Sequence, residues 1–175
     1  EKKENSRKLE ELKNLTIRDD LTGLFNSRQF YSHISQEVDR SNRYFRPLSL
    51  ILMDIDNFKL LNDTHGHLVG DNVLRMVAAT MKESIKGKDR LARIGGEEFA
   101  ILMPDTPYDG AMKLADDIRV SFEQLDLKKK STGESLGKIT MSFGVTAYKS
   151  PENADDFIHR ADQALYRSEC GAPVQ

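Results

Sequence analysis

An almost continuous apolar run at residues 48–55, which leads into Asp54-Ile55-Asp56, constrains the fold more than any other feature. Eight residues suit a strand buried on both faces, and such a strand needs helices above and below it. Because side chains alternate along a strand, both aspartates are expected on the same side of the sheet, at the end of this strand. Taken alone, the pattern is explained more simply by aspartates that end a strand and cap the next helix.

Helical and strand patterns alternate around this run. The spacing predicts helices at about 1–18, 27–44, 57–63, 70–85, 108–125 and 155–167, and strands at 48–55, 91–94, 98–103 and 139–147. Asn26 or Ser27 is expected to cap the second helix. Gly66 and Gly70 are expected to mark a loop, and Met76 is expected among the inward side chains of the fourth helix. This order predicts an α+β fold with a mostly antiparallel central sheet flanked by helices.

Composition narrows the class of protein. The chain has 175 residues, 31% of them charged, and a net charge of −2. One ordinary domain with a short appendage is expected, with no nucleic-acid backbone as its partner. Cys170 is the only cysteine, so a cytoplasmic setting fits, and neither a signal peptide nor membrane contact by this segment is expected.

Residues 1–18 read as a polar helix with a thin apolar seam through Leu9, Leu12 and Thr16. Two interpretations stay open. The segment is a solvated helix without a partner, or it is the end of a coiled-coil linker from an upstream domain, which two heptads cannot decide.

A second group of carboxylates follows two glycines at Gly95-Gly96-Glu97-Glu98. Two glycines between apolar strands predict a two-residue hairpin turn with positive φ. Bare glycine backbone lets a bulky ligand approach, and Glu97 could then share a divalent metal with Asp54. The resulting hypothesis is metal-assisted phosphoryl or nucleotidyl transfer.

Phosphates would need a separate grip, because no Walker-type or dinucleotide-binding glycine motif occurs. The free N–H groups that open the 57–63 helix could provide it, with Lys59 as a cation. Asn62 and Asp71 could read a purine by hydrogen bonding, although spacing alone leaves that role open.

Four motifs in order carry a resemblance to a known family. They are Asp19-x-Leu-Thr-Gly-Leu-x-Asn26, Asp54-Ile-Asp-x-Phe-Lys-x-x-Asn-Asp63, Gly66-His67 with Gly70-Asp71, and Arg93-x-Gly-Gly-Glu-Glu-Phe99. Over residues 18–168 the chain resembles the GGDEF diguanylate cyclases. The resemblance implies a palm-like nucleotide cyclase fold, with a catalytic domain at 19–175 behind an N-terminal linker at 1–18.

The resemblance also implies roles for individual residues. Asp54, Glu97 and the carbonyl of Ile55 would hold Mg²⁺ or Mn²⁺, two ions per site. Glu98 would be the base for the attacking 3′-hydroxyl, and Lys59 would act on the terminal phosphates. The residues implied in GTP binding are Phe58, Lys59, Gly95, Gly96, Asn62 and Asp71, of which Asn62 and Asp71 would read guanine.

Diguanylate cyclases of this kind join two GTP molecules into cyclic di-GMP and release two pyrophosphates. Each protomer binds one GTP, so the resemblance implies a face-to-face homodimer under the control of an upstream sensor or regulatory domain.

Besides Ser27, which replaces the first arginine of the family's Asn-Arg-Arg run while Arg28 remains, two departures from the family pattern affect the expectations. Lys86-Gly87-Lys88-Asp89 stands where the family has an inhibitory Arg-x-x-Asp site, so product inhibition through Lys86 and Asp89 is expected to be weak. Glu169 stands where a phosphate-binding lysine is expected, and the arginine that normally follows is missing.

The second departure leaves alternatives to an active cyclase. One is a weak or inactive GGDEF domain that binds GTP or cyclic di-GMP and signals without turnover. Another is a cyclase that acts within a single nucleotide. A pure interaction module is disfavoured, because clustered carboxylates would then have no purpose.

Overall fold

The computed structural model describes residues 1–129 and 131–169, without the side chains of residues 13–15. The helices are α1 (Lys2–Leu15), α2 (Ser27–Tyr44), α3 (Phe58–His65), α4 (His67–Ser84), α5 (Tyr108–Glu123) and α6 (Ala154–Glu169). The strands are β1 (Leu48–Ile55), β2 (Arg90–Arg93), β3 (Glu98–Pro104) and β4 (Met141–Ala147). The sheet order is β2-β3-β1-β4, and its three strand pairs are antiparallel. The predicted α+β architecture is confirmed.

The central strand β1 is covered on both faces, as its sequence predicts. Leu48, Leu50 and Leu52 pack with side chains of α2 and α6 on one face. Ile51 and Met53 pack with side chains of α4 and α5 on the other. This alternation sets the direction of every polar side chain that follows, because a residue two positions beyond Leu52 points to the α2 and α6 face.

Local signals set several helix boundaries. The side chain of Asn26 caps α2 by accepting a hydrogen bond from the Gln29 N–H at 2.9 Å. Within the described residues, no helix combines the length and the apolarity needed to cross a bilayer. Leu9 and Leu12 of α1 are 57% and 60% exposed, so the function of this helix as a linker stays a prediction.

Three local predictions are wrong. Gly70 lies inside α4 rather than in a loop, because α4 begins at His67 directly after Gly66. Met76 is 40% exposed, since the buried stripe of α4 runs through residues 73, 74, 77, 78 and 81. The β2–β3 hairpin turn spans residues 94–97, and neither Gly95 nor Gly96 has positive φ. A four-residue connection does not require the left-handed conformation that a two-residue turn imposes.

Helix α6 lies unusually close to β4. A Cβ atom on Gly144 would lie 2.4 Å from the carbonyl oxygen of Ala161 and 2.4 Å from the backbone nitrogen of Leu165. Only glycine allows this approach. The close packing fixes the last turn of α6 beside the end of β1, where the candidate site lies.

Candidate active site

The end of β1 and the β2–β3 hairpin are neighbours, which is the condition for a metal shared by Asp54 and Glu97. Asp54 is paired with Glu98 on one side and with Ser142 on the other. The N–H of Ile55 donates a hydrogen bond to the carbonyl oxygen of Glu97 at 3.3 Å. Two carboxylate-bearing segments that are about 40 residues apart in sequence therefore meet at one edge of the sheet.

The Asp54 carboxyl lies in a strongly negative environment. Burial is the largest cause that raises its pKa, followed by the charges of Glu97, Glu169 and Glu98, and together they bring the pKa of Asp54 to about 7. The side chain of Glu169 is within hydrogen-bonding reach of Asp54. A cluster of carboxylates without a cation of its own attracts an external positive charge.

Glu98 belongs to the same cluster. Burial and then the charge of Asp162 raise the pKa of Glu98, with further contributions from Glu97 and Glu169. Glu98 points to the α6 face because it is two residues before Ala100, which packs in that layer. We refer to Asp54, Glu97, Glu98, Asp162 and Glu169 as the acidic end of the sheet.

Two members of the acidic end, Asp162 and Glu169, were not predicted as site residues. They are seven residues apart on α6 and therefore lie on the same side of the helix, two turns from each other. Glu169 is conspicuous in the sequence only as a departure from the family pattern. Its position beside Asp54 depends on the close packing of α6 at Gly144. The Cys170–Ala172 segment that follows lies outside the described residues.

Asp56, which the sequence groups with the other carboxylates, has a different environment. Its two oxygens accept hydrogen bonds from the hydroxyls of Thr140 at 2.7 Å and Ser142 at 2.6 Å. Its backbone N–H also donates to the Thr140 carbonyl at 2.9 Å. Asp56 thus fastens the end of β1 to the start of β4, which keeps the neighbouring Asp54 in place.

The hairpin turn is braced from within. The carbonyl oxygen of Gly96 accepts hydrogen bonds from Nε of Arg93 at 3.1 Å and from Nη2 of the same side chain at 2.8 Å. A Cβ atom on Gly95 would lie 2.9 Å from Oε2 of Glu98, whereas one on Gly96 would have no neighbour within 4 Å. Gly95 therefore makes room for Glu98, and Gly96 leaves open space above the turn.

The start of α3 has the features expected of a phosphate grip. Asn57, with φ of 55°, precedes the helix and makes no side-chain capping hydrogen bond to it. The first N–H groups of a helix point outward and carry partial positive charge. Phe58 buries its side chain in the core, so only its backbone is available to a ligand. Lys59 is exposed.

Asn62 and Gly70 meet at the contact between α3 and α4. A Cβ atom on Gly70 would lie 1.8 Å from Oδ1 of Asn62, so a larger residue at position 70 would have to displace the Asn62 amide. That Oδ1 is buried and has no hydrogen-bond partner among the residues that the structure describes. An orphaned buried acceptor is rare in a native protein, and a bound water or a ligand group can complete it. Asp71, the other expected guanine reader, follows Gly70 directly and is half-buried.

The chemistry of the donors at the acidic end suits a hard divalent cation. Mg²⁺ takes oxygen ligands, and it uses one or two carboxylates together with waters and substrate phosphates. Within residues 1–129 and 131–169, no three carboxylate or imidazole groups form a ready ligand set. Asp54, Glu97 and the Ile55 carbonyl fit the sparser arrangement, in which the substrate supplies the remaining ligands.

The degenerate inhibitory segment is remote from these residues. Lys86 and Asp89 precede β2, whereas the hairpin turn follows it, so the two lie at opposite ends of the strand. Burial raises the pKa of Asp89, against a hydrogen bond from the backbone of Lys86. Lys88 is directed to another carboxylate, Asp105, at 3.5 Å.

Comparisons with known proteins agree with this geometry. The family described as "Diguanylate cyclase, GGDEF domain" matches residues 16–172. Diguanylate cyclase DgcP of Pseudomonas aeruginosa is 39% identical over 160 residues, which cover 91% of this chain and 23% of that protein. Diguanylate cyclase DgcM of Escherichia coli is 39% identical over 166 residues, which cover 94% of this chain and 39% of that protein.

A solved structure gives the same result. The GGDEF domain of DgcB from Caulobacter crescentus, in complex with c-di-GMP, has a TM-score of 0.87 and 36% identity, and the match covers 89% of this chain and 88% of that one. The chain spans less than half the length of the two curated relatives, but the family match extends over nearly all of the chain. The chain belongs to the GGDEF family of diguanylate cyclase domains.

Proposed function

We propose that this chain is a catalytic domain that condenses two GTP molecules into cyclic di-GMP with release of two pyrophosphates. The single observation that supports this most directly is the meeting of Asp54 with the Glu97–Glu98 turn at an edge where no cation from the described residues is paired with these carboxylates. Family membership supplies the substrate class, and the unpartnered Oδ1 of Asn62 supports a base-recognition site nearby.

The residues would divide the work as follows. Asp54, Glu97 and the carbonyl of Ile55 would hold Mg²⁺ or Mn²⁺, two ions per site. Bound metal would supply charge neutralisation for the triphosphate and a lower pKa for the attacking hydroxyl. The N–H groups at Phe58 and Lys59, with the Lys59 ammonium, hold the terminal phosphates.

Guanine recognition falls to Asn62 and Asp71. A carboxylate can accept from the N1–H and the exocyclic amine of guanine together, and adenine lacks that pair of donors. Glu98 takes the proton of the 3′-hydroxyl, and burial together with the neighbouring carboxylates raises the pKa of Glu98, which favours proton acceptance. Gly96 leaves room for the nucleotide over the turn, and Gly95 leaves room for the side chain of Glu98.

Two such domains would have to face each other. Each 3′-hydroxyl attacks the α-phosphate of the GTP on the other protomer, so two P–O bonds form and two pyrophosphates leave. We further propose residues 19–175 as this catalytic domain and residues 1–18 as a helical linker from a sensor or regulatory domain, in the cytoplasm. Lys86 and Asp89 would give at most weak product inhibition, because lysine lacks the planar fork of arginine.

The test is product formation by the purified chain. Incubation with GTP and Mg²⁺ should yield cyclic di-GMP and pyrophosphate, identified by chromatography and mass, and specific activity should rise with protein concentration. A product cyclised within one nucleotide, or ATP used as readily as GTP, would contradict the proposal. Asp71→Asn is the matched variant, which should lose preference for GTP over ATP.

A second function has one observation in its favour. Glu169 adds a negative charge beside Asp54, where triphosphate would have to approach. A domain that binds GTP or cyclic di-GMP and signals without turnover is therefore the alternative. Nucleotide binding in a calorimeter together with no product at high protein concentration would select it.

A further inference from the structure

Arg93, the last residue of β2, makes two sets of contacts in opposite directions. Toward the hairpin it donates to the Gly96 carbonyl through Nε and Nη2. Toward the N-terminal segment its Nη1 lies 3.2 Å from Oδ1 and 3.3 Å from Oδ2 of Asp19. Its side chain is only 17% exposed, and that of Asp19 is 21% exposed. One guanidinium thus bridges two segments that are 74 residues apart.

The Asp19 side of this bridge is itself fixed. Oδ2 of Asp19 accepts hydrogen bonds from the N–H of Thr22 at 2.9 Å and from its hydroxyl at 2.6 Å. Burial would raise the pKa of Asp19, but the hydrogen bonds from Thr22 and the charge of Arg93 outweigh it and hold the pKa below its usual value. Asp19 therefore presents a fully charged carboxylate in a defined orientation.

The segment around Asp19 is joined to both α1 and β2. The amide of Asn26 donates to the carbonyl of Thr16, directly after α1, at 2.8 Å. Phe25 accepts from the N–H of Arg93 at 2.9 Å and donates to the Leu91 carbonyl at 3.3 Å. Residues 16–26 are thus attached along the edge strand that leads into the hairpin.

We propose that Arg93 is a positioning residue that holds the Glu97-bearing turn at the end of β1 and ties it mechanically to residues 16–26. The part of this inference that concerns catalysis rests on the proposed function. Gly96 directly precedes Glu97, and the Glu97 carbonyl in turn accepts from Ile55, so a shift at Gly96 moves Glu97 relative to Asp54. A displacement of residues 16–26 would reach the turn through Asp19 and Arg93.

The protein offers a matched control pair. Arg40 and Asp105 also form a two-pronged ion pair between distant segments, at 3.2 to 3.4 Å, with side chains 34% and 26% exposed. This pair lies at the opposite end of the sheet and does not touch the hairpin. Loss of either pair should affect global stability alike, but only loss of the Arg93 pair should release the turn.

Amide exchange measured by NMR on the full chain, without nucleotide or metal, tests the positioning role independently of activity. In Arg93→Gln the N–H groups of Ile55, Ile94 and Gly95 should exchange at least about tenfold faster than in wild type. Asp19→Asn should give a smaller increase, because the Gly96 contact remains. Arg40→Gln should leave these three amides unchanged. Equal acceleration in Arg93→Gln and Arg40→Gln, or none in Arg93→Gln, would overturn the proposal.

Activity gives the second measurement. The Mg²⁺ concentration for half-maximal turnover should rise roughly 10–100-fold in Arg93→Gln, as is typical when a residue that orients a metal ligand is lost. Arg93→Lys keeps the charge but loses the planar, two-pronged guanidinium. Compared with Arg93→Gln, it should recover stability more fully than it recovers the wild-type Mg²⁺ dependence. An unchanged Mg²⁺ dependence in an active enzyme would contradict the catalytic part. A wild-type chain that makes no cyclic di-GMP would refute the proposed function, while the exchange result would still decide the positioning role.

Discussion

The two ends of the central sheet treat the same residue type in opposite ways. Asp54, at the end of β1, is surrounded by carboxylates, and burial together with their charges raises its pKa to about 7. Asp105, directly after β3 at the other end, has Arg40, Arg46 and Lys88 within 4.0 Å. Hydrogen bonds from Arg40 are the largest cause that holds the pKa of Asp105 below its usual value.

This difference in environment distinguishes an end of the sheet that contributes to stability from an end that is a candidate for function. Charges at the Asp105 end are satisfied within the chain, so no external group is required there. Within the described residues no cation is paired with the acidic end, and the repulsion there costs stability, in keeping with the proposal that a bound ligand supplies a cation. Repulsion of this kind marks a binding site more reliably than the mere presence of carboxylates does.

The largest expected effect is that of Asp54→Asn. The substitution removes a proposed metal ligand, so activity should fall by more than about 100-fold. This is more than the loss of a residue that only orients a metal ligand usually costs. It also removes repulsion, so the melting temperature of the metal-free protein should rise by roughly 2–4 °C for each kcal/mol gained. Cyclic di-GMP production and thermal melts in chelator measure the two effects. If Asp54→Asn lowered both the activity and the metal-free melting temperature, Asp54 would not be a source of repulsion in the folded protein, and the comparison between the two ends would fail.

Glu169→Lys tests whether the acidic end is more negative than catalysis requires. The substitution places a cation beside Asp54, which should lower the KM for GTP and raise kcat/KM by roughly tenfold, the effect of about 1.4 kcal/mol. Glu134→Lys, on an exposed loop, is the control for the same change in net charge. A gain in Glu134→Lys of similar size would assign the effect to overall charge instead.

The two ends of the sheet should contribute differently to the pH dependence of the protein's stability. The pKa of Asp54 is about 7 in the folded protein and near 3.8 when unfolded, so the folded state binds the proton more tightly. Stability therefore falls as pH rises between these values and is lowest above the folded pKa. The metal-free melting temperature should decrease from about pH 5 to about pH 8 in wild type, and less so in Asp54→Asn. Parallel profiles for the two proteins would show that Asp54 does not cause the decrease.

The smallest effect is expected for Asp105→Asn. The depressed pKa of Asp105 is that of a carboxylate stabilised by its neighbours, so its loss should lower the melting temperature by about 1–4 °C, as for a partly exposed ion pair. Activity should stay within about twofold of wild type, because the site lies at the other end of the strands. If Asp105→Asn lowered activity as much as Asp54→Asn does, the claim that only the acidic end contributes to activity would be wrong.

Much of the fold was readable because its signals are local. The apolar run of β1 has the predicted bounds, and Asn26 caps α2 as expected. The hairpin was located correctly but its turn was not, since the number of residues in the connection depends on where strand pairing stops. The helical pattern predicts Met76 to be inward, because an apolar residue fits that pattern whether or not a neighbour covers it.

In the candidate site, too, some features were readable from the sequence and others were not. Motif order predicts Asp54, Glu97 and Asn62 as site residues, and their roles stay a prediction. The structure adds that Asn62 has a buried acceptor without a partner among the described residues. Asp56 has the same spacing as a site residue, yet its oxygens are taken by Thr140 and Ser142 from β4. Nothing in the local sequence distinguishes Asp54 from Asp56, because their partners come from strands far along the chain.

The sequence by itself determined the family, the order of the elements and the carboxylates at the end of β1, since these depend on periodicity and on residues close together in the chain. Only the tertiary structure decided that α6 brings Glu169 beside Asp54, and that Arg93 connects Asp19 to the Gly96 carbonyl. The Arg93 contact joins residues that are 74 positions apart in sequence, and the Glu169 contact depends on a helix packed against Gly144. In both cases distant segments must meet at distances of a few ångströms. Close packing sets such distances, and no local pattern encodes them.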